Sequence, residues 1–391
     1  MDPDHRRLQP QDGGKPVAGV VTHEVPPAVI IKPPIDMPSI PRSAVAPELA
    51  IVMTTCNPLR LDSWLAYHAA ALRPRAIFIR VDRTPSLATL FAQPSWINLV
   101  HATFDDTMQQ AGQGQRGVRQ NSTQLTAHVN ASVLAAREMG CTHLLHIDDD
   151  ELLFAAAGLD ELHAALAAAP SEASDIHVHN VEALMPSPHC LDPFRAARAF
   201  RYQPGGYDAY LNGKSFGRLG DPDLHSRGPH HFRSKDGEYR TWQLPAHVAV
   251  VLHFESCTFD RWADKYVGLS SRISLDESRT ILPSPYLQRS VRAAHTLLKW
   301  TAKAEAEEPG AQQKLDQAWR GSLQLWCKHK LEPRGLPTRA EQRQGDIVRG
   351  ADGVLVTLVD PFPAVGLAAD ASVDAERVAR DLPLLCRGRR V

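Results

Sequence analysis

The sequence predicts an α/β protein in which helices cover both faces of a mainly parallel, doubly wound sheet. Strand-like and helix-like segments alternate between residues 49 and 150, an order typical of a parallel sheet. The strand segments are apolar almost without interruption, as expected for strands that are buried on both faces. The third of them ends in a block of acids, and ligands of such sheets bind beyond the carboxyl ends of the strands. We therefore expect the functional site at this edge.

Each element of this region can be assigned from its pattern. The predicted strands are LAIVMTT (49–55), AIFIRVD (76–82) and THLLHIDDD (142–150). The helix LDSWLAYHAAALRP follows the first strand, with Asp62 as its expected cap and Pro74 at its end. The helix TQLTAHVNASVLAAREMG has one apolar stripe, and its Gly140 suits the left-handed conformation that follows many helices. The stripe consists of Leu125, Val129, Val133 and Ala136.

Composition divides the chain into three parts. Residues 1–46 contain nine prolines and no sustained periodicity, so we expect a mostly disordered tail. Residues 47–280 contain the α/β pattern and form the predicted main domain. Residues 281–391 are predicted to be a helical extension packing on this domain, and GVLVTLVDP within it fits either a late strand or a short docking segment. The helical face in LQRSVRAAHTLLKW consists of Leu287, Val291, Ala294 and Leu298.

The overall composition disfavours several classes of protein. The chain has 43 basic and 44 acidic residues, so it has no general attraction for nucleic acid or anionic lipid. Its six cysteines form no CxxC pair, which argues against a zinc ribbon or a dense disulfide framework. No apolar run approaches the ~20 residues that cross a bilayer, and the first residues lack the apolar core of a signal peptide. We expect a cytoplasmic protein without a transmembrane segment that does not bind nucleic acid.

The acidic block in HLLHIDDDELL is the strongest candidate for a ligand site. In extended backbone Asp148 and Asp150 would share one face, and Asp149 would point to the other. Two carboxylates on one face suit Mg²⁺ or Mn²⁺, which can hold a diphosphate and stabilise charge on a leaving group. The alternative is a solvated acidic turn that opens a helix around Glu151.

An ordered series of motifs resembles the N-terminal half of GT-A glycosyltransferases of families 2 and 92. The series is IVMTTCNPL, SWLAYH, IFIRVD, RGVRQNSTQ and HLLHIDDDELL. In those families a strand leads to an EWL-x-YH-like helix, and a later strand ends in IDxDEF. This chain lacks the glutamate before Trp64 and has Leu152 where an aromatic residue is frequent. Downstream, LNGKSFGRL, RGPHHF and VVLHFESCTFDRWADKY fit the same family, so the resemblance covers residues 49 to about 270.

The resemblance implies a GT-A (Rossmann-like) catalytic domain over residues 47–280. It also implies a metal-dependent, inverting transfer of a sugar from a UDP- or GDP-sugar donor to a hydroxyl of a glycan or glycoconjugate. The cofactor would be Mn²⁺ or Mg²⁺. The implied metal ligands are Asp148, Asp150 and a histidine, for which His230 and His253 are favoured over His231. Each histidine could equally be hydrogen-bonded in the core.

The other roles follow from the chemistry of breaking a sugar–phosphate bond. A cation must neutralise the departing diphosphate, and Lys214 is preferred over Arg116 and Arg119. The predicted donor-binding residues, several of which could instead be turn or capping residues, are Thr54, Thr55, Asn57, Asp82, Arg116, Arg119, Gln120, Asp149 and Lys214. A carboxylate must deprotonate the acceptor, and Glu182 is the first candidate. The competing candidates for the base are Asp208, Asp221, Asp223 and Glu255.

Two other functions remain open from the sequence. A metal-dependent phosphoryl or nucleotidyl transferase could use a similar sheet, although such enzymes normally carry a GxxxxGK[ST] loop, which this chain lacks. A catalytically inactive nucleotide- or carbohydrate-binding protein could also keep this fold. A zinc site at HSRGPHHF is less favoured, because no nearby cysteine or HExxH motif supports it.

Overall fold

A computed structural model describes residues 30–31, 46–105, 115–201, 213–234, 240–282, 284–333, 336, 341, 347–349 and 355–367. For residues 30–31, 115–122, 281, 347–349 and 355 the description covers the backbone alone. The strands are β1 Ile30–Ile31, β2 Leu49–Thr55, β3 Ala76–Asp82, β4 Val100–Asp105, β5 His143–His146, β6 Glu151–Phe154, β7 Asp175–Val178, β8 Asn180–Leu184, β9 Ala199–Arg201, β10 Lys214–Arg218, β11 His225–Arg227, β12 His231–Arg233, β13 Thr241–Gln243, β14 Val250–His253, β15 Ile347–Arg349 and β16 Leu355–Leu358. The helices are α1 Leu61–Leu72, α2 Leu87–Phe91, α3 Gln115–Glu138, α4 Leu159–Ala168, α5 Pro193–Ala196, α6 Phe259–Ser270, α7 Leu275–Ile281, α8 Pro285–Glu305, α9 Ala311–Lys330 and α10 Pro361–Ala364.

The main sheet has the strand order β13-β7-β10-β5-β2-β3-β4. Six of its seven strands run in the same direction, and β10 runs against both of its neighbours. Along β2, Ile51 and Met53 face a core that includes Trp64 of α1, whereas Ala50 and Val52 face a core that includes α3. Helices therefore cover both faces, and the predicted class, a mixed α/β fold with a large, mainly parallel sheet, is confirmed.

A second sheet joins distant parts of the chain in the order β1-β15-β16-β9-β8-β14-β6. Strand β14 lies between β8, to which it is parallel, and β6, to which it is antiparallel. In this register His253 lies beside Glu182 on one strand and Glu151 on the other. Strand β16 lies within GVLVTLVDP, so this segment is a strand. Strand β1 lies inside the predicted tail, where the pair Ile30–Ile31 lies beside β15.

The C-terminal helices share the core of the main domain. Tyr286 of α8 and Trp326 of α9 belong to the same buried cluster as Trp262 of α6. The indole of Trp262 also donates to the hydroxyl of Ser290 across 3.1 Å. The predicted domain limits at residues 46 and 280 remain predictions.

Two local expectations were wrong. Helix α1 begins at Leu61 after Arg60, so Asp62 lies in the first turn, where it accepts hydrogen bonds from Arg60 instead of capping the backbone. Strand β5 ends at His146 and β6 begins at Glu151, so Asp148, Asp149 and Asp150 lie in a turn between strands of different sheets. The argument from side-chain alternation therefore does not hold for these acids, and Glu151 opens a strand and not a helix.

Candidate active site

A cleft of about 410 Å³ lies at the carboxyl edge of the main sheet. Strands β2, β3 and β5 are parallel, so the residues that follow each of them meet at this edge. The loop after β14 and helix α6 form the opposite wall. The lining residues are Cys56, Asn57, Leu59, Asp149, Asp150, Pro193, Phe194, Phe254, Ser256, Cys257, Arg261, Asp264, Lys265 and Arg272.

The SWLAYH segment of α1 holds the acidic turn in place. The indole N–H of Trp64 donates to the carbonyls of Asp148 and Glu151 across 3.1 and 2.8 Å. Burial lowers the pKa of His68 to about 3, so this imidazole is neutral and its Nε2 accepts the backbone N–H of Leu153. The turn is thus fixed at its backbone, which leaves the side chains of its acids available for other contacts.

Lys214 is enclosed beneath this turn and does not line the cleft. Its Nζ lies 2.5 Å from Oδ2 of Asp148, 3.4 Å from Oε2 of Glu151 and 3.1 Å from the carbonyl of Pro229. Burial raises the pKa of Asp148, but the ammonium of Lys214 outweighs this and lowers it to about 2. Burial raises the pKa of Glu151 to about 7, against the effect of Lys214. Lys214 therefore neutralises charge inside the protein, beneath the cleft.

Asp149 and Asp150 are the acids of the turn that reach the cleft. The hydroxyl of Thr55 donates to Oδ2 of Asp149 across 2.5 Å. Burial and the charge of Asp150 raise the pKa of Asp149 to about 7. A bound cation would relieve this repulsion, because it stabilises the ionised forms of both carboxylates.

His253 lies between Asp150 and Glu182. Its Nδ1 is 2.6 Å from Oε1 of Glu182, and its Nε2 is 3.9 Å from Oδ2 of Asp150. Burial would lower the pKa of His253, but Glu182 raises it to about 9. A histidine whose Nδ1 is held by a carboxylate presents its Nε2 in a fixed direction, as metal-binding histidines do, and a bound cation would replace the proton on this Nε2.

The residues at this point fit a divalent cation shared with a ligand. Oδ2 of Asp150, which lines the cleft, and Nε2 of His253 lie 3.9 Å apart, a separation compatible with binding one ion. In the described part of the chain, no group of three or more His, Cys, Asp or Glu side chains could hold a metal alone. In proteins Mg²⁺ commonly binds one or two carboxylates together with water and substrate phosphates.

The opposite wall carries cations that the sequence analysis did not assign to the site. Arg261 donates from Nη1 to the carbonyl of Asn57 across 2.8 Å, so it joins α6 to the end of β2. Lys265, half-exposed, lies 2.8 Å from Oε1 of Glu255. Arg272 also lines the cleft. The F-x-x-W-x-x-K segment could have indicated this wall, because Arg261 and Lys265 are one helical turn apart behind a strand end.

The remaining donor-binding candidates lie mostly along the same edge. Thr54 and Thr55 end β2, and Asn57 follows with a left-handed φ of 51°. Asp82 ends β3 and is buried, with its Oδ2 3.4 Å from Arg83. Arg116, Arg119 and Gln120 have backbone positions in α3, but their side chains lie outside the described residues.

The other histidines and candidate bases lie away from the cleft lining. His230 lies 3.1 Å from the Gly213 carbonyl, and His231 lies 3.0 Å from Asp175. The backbone N–H of Asp223 donates to Oδ1 of Asp221 in a surface turn. Glu255 is buried, and its Oε1 accepts hydrogen bonds from Ser256, Lys265 and Tyr266. Asp208 lies outside the described residues.

No protein-family model and no curated protein matches this chain. Among solved structures, it is similar to a mannosyltransferase from Pyrobaculum calidifontis in complex with GDP-Man and Mn²⁺, at 13% identity and a TM-score of 0.31, over 75% of this chain and 84% of the other. It is also similar to a mannose-1-phosphate geranyltransferase from Thermus thermophilus, at 13% identity and a TM-score of 0.22, over 70% and 67% of the two chains. At these values the similarities assign neither a family nor an activity.

No helix in the described ranges is both long enough and apolar enough to cross a bilayer.

Proposed function

We propose that the chain is a metal-dependent GT-A glycosyltransferase that moves a sugar from a nucleotide-sugar donor to a hydroxyl acceptor with inversion. One observation carries the proposal. At the carboxyl edge of a mainly parallel sheet, Asp150 lines a cleft with Nε2 of His253 3.9 Å from its Oδ2, and the other wall of this cleft carries Arg261 and Lys265. A donor with a diphosphate needs both features, a cation held by protein ligands and basic side chains for the remaining charge.

Asp150 and His253 would hold the divalent cation, with Asp149 beside them and Glu182 orienting the imidazole. When bound, this cation would neutralise charge on the departing nucleoside diphosphate. Thr55 and Asn57 would contact the donor at the end of β2, and Asp82 would do so at the end of β3. Because Lys214 is enclosed against Asp148 and Glu151, we propose that it positions the acidic turn and does not contact the donor.

We assign the neutralisation of the diphosphate charge to Lys265 and Arg261. Replacing Lys265 with Met should lower turnover by roughly a hundredfold, as the loss of one group that stabilises a transition state commonly does. A matched control is Lys299→Met, since this exposed lysine on α8 packs over the ring of Trp300. Equal losses for the two variants would contradict the assignment of Lys265.

The positions of the carboxylates lead us to propose a residue other than Glu182 as the base. Glu182 is 1% exposed and its Oε1 is engaged with His253, so it supports the imidazole and does not face an acceptor. Asp264 is exposed and lines the cleft, which gives its carboxylate access to an acceptor hydroxyl. Asp264→Asn should therefore reduce transfer to an acceptor far more than it reduces donor binding. Full transfer activity in this variant would show that another carboxylate is the base.

The function itself is tested by incubating the full chain with a panel of UDP- and GDP-sugars and Mn²⁺. We expect release of the nucleoside diphosphate from at least one donor, and loss of that release when EDTA removes the metal. Donor binding without any release would indicate an inactive binding protein. Release of nucleoside monophosphate or inorganic pyrophosphate would indicate phosphoryl or nucleotidyl transfer instead.

A further inference from the structure

A buried lysine enters the site region from the C-terminal helix α9. Lys330 is the last residue of α9, and none of its surface is exposed. The backbone around it is attached to β8, because Met185 donates to the Lys330 carbonyl across 2.6 Å and Glu332 donates to the Met185 carbonyl across 2.9 Å. Its side chain therefore lies beside β8, the strand that carries Glu182.

The ammonium of Lys330 joins two buried carboxylates. Its Nζ lies 3.6 Å from Oε2 of Glu182 and 3.2 Å from Oε2 of Glu255. The two glutamates are 1% and 3% exposed. The other oxygen of each glutamate holds a residue of the proposed site, since Oε1 of Glu182 holds His253 and Oε1 of Glu255 holds Lys265. Basic and acidic side chains therefore alternate in the series His253, Glu182, Lys330, Glu255 and Lys265.

The sign of the charge at position 330 matters in this arrangement. Burial disfavours the charged lysine, but Glu255 and Glu182 raise its pKa above the ordinary value, so it stays charged. Without it, Oε2 of Glu182 and Oε2 of Glu255 would lose the cation that they share. At least one of these buried carboxylates would then move from its present position, because a buried charge without its partner is strongly unfavourable. This movement would displace the residue that the carboxylate holds.

We propose that Lys330 is a positioning residue of the active site, which fixes His253 through Glu182 and Lys265 through Glu255. Helix α9 would then support the site through Lys330, without contacting the substrate. This inference rests on the proposed function, since it concerns two residues assigned there to the metal and the diphosphate. Loss of a group that orients ligands from behind commonly reduces metal affinity or activity by roughly ten- to a hundredfold.

The test compares Lys330→Met, Lys330→Arg and the exposed control Lys328→Met on the same helix. Binding of GDP in the presence of Mn²⁺ is measured by calorimetry at a temperature where circular dichroism shows each variant folded. We expect roughly tenfold or greater weakening for Lys330→Met, and values near that of the parent chain for Lys330→Arg and Lys328→Met. If Lys330→Met binds as the parent chain does and only melts earlier, Lys330 is merely structural and the inference is overturned.

A second measurement does not depend on the metal or the nucleotide. The imidazole proton between His253 and Glu182 is identified by NMR through its loss in His253→Gln. Its resonance should shift or disappear in Lys330→Met and persist in Lys330→Arg. An unchanged resonance in Lys330→Met would overturn the inference. If the parent chain binds neither UDP nor GDP in the presence of Mn²⁺, the proposed function fails while the NMR comparison still decides the role of Lys330.

A compensated variant covers the case in which Lys330→Met does not fold. Lys330→Met with Glu255→Gln removes one charge of each sign, so the net charge of these buried side chains stays the same. We expect this protein to fold, to keep the His253 resonance and to bind GDP with Mn²⁺ roughly tenfold more weakly, because Lys265 has lost its anchor. Binding equal to that of the parent chain would overturn the inference.

Discussion

Replacing Lys214 with Met should destabilise the fold strongly. Lys214 and Glu151 have no exposed side-chain surface, and Nζ of Lys214 is the ammonium that faces both Asp148 and Glu151. Removing one member of a fully buried ion pair commonly costs about 3–5 kcal/mol, and because the Asp148 side chain is 40% exposed we expect a loss towards the lower end of this range. The control is Lys303→Met, because Lys303 and Glu308 form an exposed pair at the same 2.5 Å distance. Exposed pairs contribute about 0–1 kcal/mol, so this variant should unfold almost as the parent chain does.

Urea unfolding at several pH values measures both effects. The pKa of Asp148 is lowered from 3.8 to about 2 by Lys214, so its share of the stabilisation is present above pH 3.8 and is lost as the pH falls towards 2. The stability difference between the parent chain and Lys214→Met should therefore be larger at pH 5 than near pH 2. A loss below about 1 kcal/mol at pH 5 would refute the burial argument for Lys214.

Other substitutions test the surroundings of the site. Trp64→Phe removes the indole donor to the Asp148 and Glu151 carbonyls, so Mn²⁺-dependent nucleotide binding should weaken by roughly tenfold in titrations of the folded variant. Binding equal to that of the parent chain would show that the turn does not need this support. Gly217→Ala should cost about 1–3 kcal/mol in urea unfolding, because an added Cβ would lie 2.8 Å from the ring of Phe232. Gly220→Ala is its control, since a Cβ there meets no atom within 4 Å, and equal losses would refute the packing argument.

Individual strands and helix ends could be predicted because their sequence patterns lie within the elements themselves. The apolar runs around Ile51 and Ile77 are buried on both faces and form parallel neighbours. Gly140 has a φ of 75° after α3, the conformation that its position predicts. The acidic turn was harder to foresee, because three successive acids after a strand fit extended backbone and a turn equally well. Its geometry depends on donors from elsewhere, above all the indole of Trp64.

The contacts that define the candidate site join residues far apart in the sequence. Lys214 and Asp148 are 66 positions apart, and His253 and Glu182 are 71 apart. Nothing in the spacing of these residues indicates that they pair. The sequence around Lys214, KSFGR in strand β10, does not show that its ammonium is enclosed. Lys330 lies in a helix whose charged residues resemble a solvated surface, so its burial depends on the packing of α9 against β8.

The central claim is that Asp150 helps to hold a cation that binds a nucleotide donor, and Asp150→Asn tests it most directly. The measurement is the rise in melting temperature on adding Mn²⁺ together with each of a panel of UDP- and GDP-sugars, since a ligand that binds only the folded state raises its stability. We expect a clear rise for the parent chain and for the exposed control Asp276→Asn. Asp150→Asn should show no rise, while its stability without ligand stays equal or slightly higher because repulsion with Asp149 is relieved. A full, Mn²⁺-dependent rise in Asp150→Asn would contradict the account.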